Sequence, residues 1–331
     1  MKIKHKLKIE HSVVVEVLSC IRALSLPQEH PEVQDAIEGI KIDPKHNWVL
    51  DFIRNNPGRS YGMHEFILLV QERQDIGVFF DSVLTLNKDE KLLHYLGFNF
   101  SIEEIQECLN DQSRLQKLLS RLDGIDSEVL SRKLVNIDEL IEAYRGLAIS
   151  ISEDEHFTRL FDVDYKKEIQ VCVKDIKKEL ENRHPLSYAQ ALMGKNFWNI
   201  SDWDVHEFIP VYFNSPRTVR IFNAEKNILL KSLYKREKSN EALKQSLKEK
   251  LKLLSDPTRL SILRMTYMKP MYGKEIADAL KLTTATVSHH LDLLRKAGLL
   301  NLEQERHIKY FSTSTRAFNE LINEMNMYIK E

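Results

Sequence analysis

The chain has 331 residues, enough for two or three domains at roughly 100 to 200 residues each. Hydrophobic residues make up 43% and charged residues 29%, a globular balance that excludes a disordered chain, and no apolar run is long enough for a transmembrane helix. The formal net charge of −1 is unevenly spread: residues 241–331 hold 15 Lys and Arg against 11 Asp and Glu, so an anionic partner is expected at the C-terminal end.

Only ten Gly and nine Pro occur, and Leu, Lys and Glu recur at helical spacing, so a mainly α chain is predicted. The basic start MKIKHKLKIE is followed by an apolar run interrupted by Glu16, too weak for an export signal. Cys20, Cys108 and Cys172 are odd in number and far apart, which suits a reducing cytoplasm without disulfides, with the thiols as apolar fillers.

In chain order, Ile3, His5, Leu7 and Ile9 alternate with a period of two and predict a strand. Apolar residues at spacings of three and four then predict helices from 13, 31, 101 and 164, with Ser101, Glu103 and Glu104 suited to a helix start and RNNPGRSYG at 54–62 a clear break. Trp198 and Trp203 flank NISD, with His206 and Glu207 close behind. They are read as core aromatics in preference to an aromatic-lined ligand site. The stretch HEFIPVYFNSPRTVRIFNA has two apolar runs around Asn214-Ser215-Pro216, which predicts a hairpin over 207–223 beside the N-terminal strand. From 225 to 254 the chain is highly charged, and a stripe of Leu243, Leu247, Leu251 and Leu254 predicts a linker turning into an amphipathic helix. The expected domains are therefore 1–235, helical with a small sheet, and 236–331.

In LLSDPTRLSILRM, Asp256 is placed to cap a helix whose first position is Pro257. Gly273 precedes the short helix KEIADAL, KLT makes a tight turn, Thr283 caps a second helix, and Gly298 suits its left-handed end. This is a helix-turn-helix pattern. At 100° per residue, Val287, Leu291 and Leu294 share the inner side of the second helix, while Ala285, Ser288, His289, Asp292 and Lys296 point outward. Small and hydrogen-bonding residues there suit close approach to a DNA major groove. LLNLEQERHIKYFST then alternates around Gln304-Glu305-Arg306, a hairpin wing with Arg306, His307 and Lys309 available to phosphate, and RAFNELINEMNMYIKE places Phe318, Leu321, Ile322, Met325 and Tyr328 near helical spacing.

Residues 243–330 resemble the ArsR-type winged helix-turn-helix regulators, through LLSDPTRLSIL, GKEIADALKLTTATVSHHLDLLRKAGLL and RHIKYF in that order. The resemblance implies double-stranded DNA as partner and contacts from Thr284, Ala285, Ser288 and His289. It further implies a homodimer joined through the 241–254 and 317–330 helices. Relatives that sense metals use cysteines in the helix before the recognition helix, or Asp and His in the last one. KEIADAL and AFNELINEMNMYIKE hold neither Cys nor His, so those sites do not carry over, and no metal or cofactor is expected. Asp292 stands where many relatives carry a basic residue.

Adjacent His289 and His290 diverge by about 100° and cannot share a metal as residues three or four apart can. Asp292 could orient His289 as a general base, but no cleft signature accompanies it, so DNA contact by His289 is preferred, with His290 toward the domain body. No phosphate-cradling Gly loop, nucleophile elbow or paired metal motif occurs. The expected function is a cytoplasmic, dimeric repressor using recognition helix 283–296 and wing 300–312, whose N-terminal part senses an effector of unassigned chemistry or aids dimerisation. The rival reading is a ligand-binding or enzymatic N-terminal domain with the winged helix as a protein-interaction module.

Overall fold

Ser12 starts the first helix, three residues after the first strand ends at Ile9. Its hydroxyl accepts from the Val15 N–H at 3.2 Å and donates to the Arg73 carbonyl at 2.9 Å. In this computed structural model the described residues are 6–97, 100–108, 111–161, 165–193, 197, 203–233, 240–305 and 308–330. They divide into two compact units, 1–182 with 202–235, and 183–201 with 236–331.

The helices of the first unit are α1 (Val13–Ser25), α2 (Gln34–Glu38), α3 (Asn47–Asn55), α4 (Ile76–Thr85), α5 (Lys88–Tyr95), α6 (Ile102–Cys108), α7 (Gln112–Leu119), α8 (Ser127–Val135), α9 (Ile137–Ser152), α10 (Glu155–Arg159) and α11 (Lys166–Glu181). The predicted helix from 101 is thus two. Ser101 and Glu104 form a reciprocal cap at the first, and Asp111 caps the second by accepting from Ser113 and Arg114. An interior Asp cap starts a new helix, which periodicity alone had merged.

α1 is buried on almost every side, its polar residues included. Glu16 accepts from the Tyr212 and Phe213 N–H groups at 2.8 and 3.3 Å, Ser19 pairs with His64 at 3.2 Å, and Arg22 reaches Ser60, His30 and Glu29. A buried polar group needs such partners, because an unpaired one costs about 1–3 kcal/mol. Arg22 donates to His30 Nε2, so the His30 proton sits on Nδ1 and donates to the Ser215 carbonyl at 2.8 Å. Burial and the neighbouring Arg22 cation bring His30 down to about 4 and His64 to about 3. Glu65 is pushed the other way, to about 7, by burial that the Arg59 cation only partly offsets.

The sheet of this unit has strands β1 (Lys6–Ile9), β2 (Val205–Val211), β3 (Val219–Phe222) and β4 (Lys226–Ser232) in the order β1-β2-β4-β3. The N-terminal strand is present and runs parallel to β2, with Lys6 opposite Val205. The hairpin expected over 207–223 is not formed. Instead β4 lies between β2 and β3, parallel to the first and antiparallel to the second. The tight turn is at Asn223, whose side chain accepts from the Glu225 and Lys226 N–H groups at 2.9 and 2.7 Å. The start of the expected linker is therefore a central strand. Ile228, Leu229 and Leu230 are all fully buried, and a strand covered on both faces shows an unbroken apolar run where alternation was sought.

Trp203 is a core residue at 1% exposure, its Nε1–H donating to the Asn223 carbonyl at 2.8 Å; Trp198 lies outside the described residues. His206 and Glu207 are buried beside it, His206 against Asn227 at 3.2 Å and Glu207 against Arg73 at 4.0 Å. Cys20 and Cys172 are buried, Cys108 is half-buried and all three are free; burial pushes the Cys20 thiol well up, as suits an unreactive filler. No helix among the described residues is long and apolar enough to cross a membrane.

The second unit contains α12 (Pro185–Met193), α13 (Asn240–Leu254), α14 (Pro257–Met268), β5 (Met271–Tyr272), α15 (Gly273–Leu280), α16 (Thr284–Lys296), β6 (Leu300–Glu305), β7 (Ile308–Thr313) and α17 (Thr315–Lys330). Its core joins Ile262 and Leu263 of α14, Ile276 of α15, Val287, Leu291 and Leu294 of α16, and Leu299 and Leu300 before the wing. A satellite cluster of Leu247 and Leu321 holds α13 to α17, with Leu254 and Met325 at its edge and an ion pair between Lys250 and Glu324 at 3.1 Å.

Candidate nucleic-acid interface

Each helix of the C-terminal unit starts and stops where its side chains dictate. Asp256 accepts from the Arg259 N–H at 2.9 Å, which holds its carboxyl below the ordinary range, helped by the Arg259 guanidinium at 3.7 Å and by His290. Pro257 follows at the first helical position. At the end of α15, Lys281 takes a left-handed φ of 55°, the Lys281 N–H donates to the Asp278 carbonyl and the Leu282 N–H to the Ala277 carbonyl. That pair of bonds closes the helix in a Schellman turn normally reserved for glycine.

Leu282 leads into Thr283, whose hydroxyl accepts from the Thr286 N–H at 3.1 Å and caps α16. α16 ends with the same turn: Gly298 has a φ of 72°, its N–H donates to the Arg295 carbonyl and the Leu299 N–H to the Leu294 carbonyl. α15 is thus closed at its C-terminal end and α16 at both ends around a turn of a few residues, a helix-turn-helix.

The faces of α16 divide as the helical wheel requires. Val287, Leu291 and Leu294 are buried, whereas Thr284, Ala285, Ser288, His289, Asp292 and Lys296 are exposed. His290 is half-buried on the side of Asp256, and its Nδ1 has no hydrogen-bond partner among the described residues. Arg295 and Asp292 form an exposed ion pair at 3.6 Å, so the acidic residue on the outer face sits beside a cation three positions on.

β6 and β7 form the hairpin, paired antiparallel from Leu300 opposite Thr313 to Glu305 opposite Ile308, with β5 added to the outer edge of β7. Lys309 is exposed on β7; the expected wing residues Arg306 and His307 lie outside the described residues. The left-handed Lys281 was not foreseen, because a lysine carries no mark of that conformation; only the short gap between two helical patterns hinted at it. Among the described residues, no group of three or more His, Cys, Asp and Glu could hold a metal ion.

Two short capped helices followed by a β-hairpin, with a small-residue face turned to solvent, are a DNA-reading arrangement. Residues 254–303 match the helix-turn-helix domain family. Over 80 residues the chain is 30% identical to the transcriptional repressor SdpR of Bacillus subtilis, covering 89% of that protein and 24% of this one. The chain belongs to the ArsR-type helix-turn-helix regulators. This ArsR-type regulator is also 30% identical over 84 residues to a cadmium resistance transcriptional regulatory protein, a CadC homolog of Staphylococcus aureus, spanning 67% of it and 24% of this chain. A third relative is an uncharacterized HTH-type transcriptional regulator of Methanocaldococcus jannaschii, 41% identical over 58 residues that cover 65% of it and 17% of this chain. The ArsR-type regulator is a DNA-binding transcriptional regulator with a large N-terminal unit to which these likenesses do not extend.

Proposed function

We infer that the protein is a sequence-specific repressor acting in the cytoplasm as a homodimer, and not an enzyme. The observation that carries this reading is the exposed face of α16, where Thr284, Ala285, Ser288 and His289 stand clear of the core on a helix capped at both ends. Thr284 and Ala285 lie in the first turn, where small side chains let backbone and bases approach closely, and Ser288 and His289 offer donors and acceptors to base edges. The wing supplies Lys309, and Arg306 at its tip, to phosphate. Resemblance to a repressor supports the direction of control.

α13 and α17 are the helices through which two copies join. Leu251 at 45% exposure, Ile322 at 54% and Ile329 at 74% are large apolar side chains that a partner copy would cover. Dimerisation sets two recognition helices about 34 Å apart, one turn of DNA, and an effector acts by shifting the population of that spacing. The expected domain 1–235, less the segment 183–201 that belongs to the C-terminal unit, senses that effector or strengthens the dimer.

The test is fluorescence anisotropy of the full chain on DNA from upstream of its own gene and on a scrambled control, at two salt concentrations. Preference for the upstream DNA by ~10³-fold or more is expected. Equal and weak binding to both, lost with salt, would sink the specific-regulator reading and favour the winged helix as a protein-interaction module.

A further inference from the structure

α14 is apolar on two faces. Ile262, Leu263 and Thr266 enter the core, yet Leu260 at 48% exposure and Tyr267 at 56% stand outside it. Positions 260, 263, 264 and 267 form one row along the helix, and the first turn of α17 faces them with Thr315 and Phe318. Between the two helices runs a cleft of about 530 Å³, well within the size of small-ligand sites. A surface helix ordinarily turns charged and polar residues outward. Here the exposed members of the row, Leu260 and Tyr267, are apolar, with one cation between them, Arg264, which lines the cleft and has no carboxylate partner among the described residues.

We propose that this cleft binds a small amphipathic anion, a molecule with an apolar or aromatic body and one carboxylate or sulfonate, and that its occupancy changes the DNA affinity of the same unit. Leu260, Tyr267 and Phe318 cover the body, Arg264 takes the anionic head in a charge-assisted hydrogen bond, and Thr315 offers a neutral hydroxyl beside it. A neutral ligand would leave the guanidinium unmatched, and a dianion would find one cation among the described residues that line the cleft.

The cleft is mechanically joined to the DNA-reading face. Thr313, at its floor, donates to the Leu263 carbonyl at 2.6 Å and contacts Thr266 at 2.8 Å, both within hydrogen-bond range, and Leu263 shares a core with Val287, Leu291 and Leu294 of α16. A ligand that tilts α14 against α17 therefore displaces the base of the recognition helix. This second half of the proposal rests on the DNA-binding reading; the binding site itself does not.

The experiment uses the full chain with 1-anilinonaphthalene-8-sulfonate as fluorescent probe, decanoate and decanol as competitors, and the variants Arg264→Gln and Tyr267→Asp, both at exposed positions that leave the core intact. Saturable binding of about one probe per chain is expected, displaced by decanoate and not by decanol, weakened ~10-fold or more by Arg264→Gln and abolished by Tyr267→Asp. Unchanged affinity in Arg264→Gln, or equal displacement by decanol, overturns the site. So does dissociation of a dimer by either variant in sedimentation, which would make the cleft a surface for a second copy. In a parallel arm, decanoate shifts DNA affinity at least threefold in the wild type and not in Arg264→Gln; no shift overturns the coupling alone. Failure of the ligand-free protein to prefer its upstream DNA counts against the DNA reading and leaves the cleft standing.

Discussion

Thr283 and His289 sit six residues apart on one helix and do opposite work. Thr283 turns its hydroxyl onto the backbone at 3.1 Å and holds the start of α16, whereas His289 leaves the protein and faces solvent. Removing the cap by Thr283→Ala is expected to lower the unfolding free energy of the C-terminal unit by ~1 kcal/mol, visible as a lower urea midpoint at unchanged slope. An unaltered midpoint would show that the cap contributes nothing. Ser288→Ala with His289→Ala should leave that midpoint alone and weaken binding to the specific site by ~1–3 kcal/mol for each good base contact. Unchanged affinity in anisotropy would remove α16 from the reading of sequence. Both assignments were legible beforehand, since a cap and an outward face follow from spacing along one helix. Lys281 was not, because its left-handed φ of 55° is imposed by the Schellman bonds around it.

At the scale of elements, periodicity found α1, α11, α13 and α16 because each repeats apolar residues at spacings of three and four, and the Asp256-Pro257 start found α14. It failed at β4, where Lys226–Ser232 is covered on both faces and the surrounding charge pointed to a linker. It also could not tell that the polar face of α1 lies inside. Glu16, Ser19 and Arg22 are satisfied by Tyr212, His64 and Ser60, residues 38 to 196 positions away. The wing offers an element-scale prediction. In the proposed function its cations serve phosphate, so Arg306→Ala or Lys309→Ala should weaken binding to upstream and scrambled DNA alike and flatten the salt dependence by about one unit per residue. A slope that does not move would exclude the hairpin from the interface.

Across the whole molecule, acid acts on the N-terminal unit through its buried histidines. An imidazole near 6.5 in the unfolded chain falls to about 4 at His30 and about 3 at His64 in the fold, so the unfolded state binds more protons as pH drops. Their contribution is complete above pH 6.5, declines progressively as pH falls below it, and is fully lost below about 4 for His30 and about 3 for His64, amounting to about 3 kcal/mol or more for each. Glu65 works against this over part of the range: held at about 7, it is protonated first in the fold and adds stability as pH falls from 7 toward 4.5. Denaturant unfolding followed from pH 7 to 3 should therefore show a late, steep loss. His64→Gln should flatten that loss below pH 5 whatever it does to stability at pH 7; an unchanged acid slope would dismiss His64 as its source.

The helix-turn-helix was determined by the sequence itself, because caps at Asp256 and Thr283, a glycine at 298 and a three-to-four apolar repeat act over a few residues and need no distant partner. The strand order β1-β2-β4-β3, the inward polar face of α1 and the cleft beside Arg264 were decided only in three dimensions. Each depends on which distant groups meet, and a hydrogen bond, a parallel strand pair or a cation over an apolar groove is a relation between segments that no local spacing encodes.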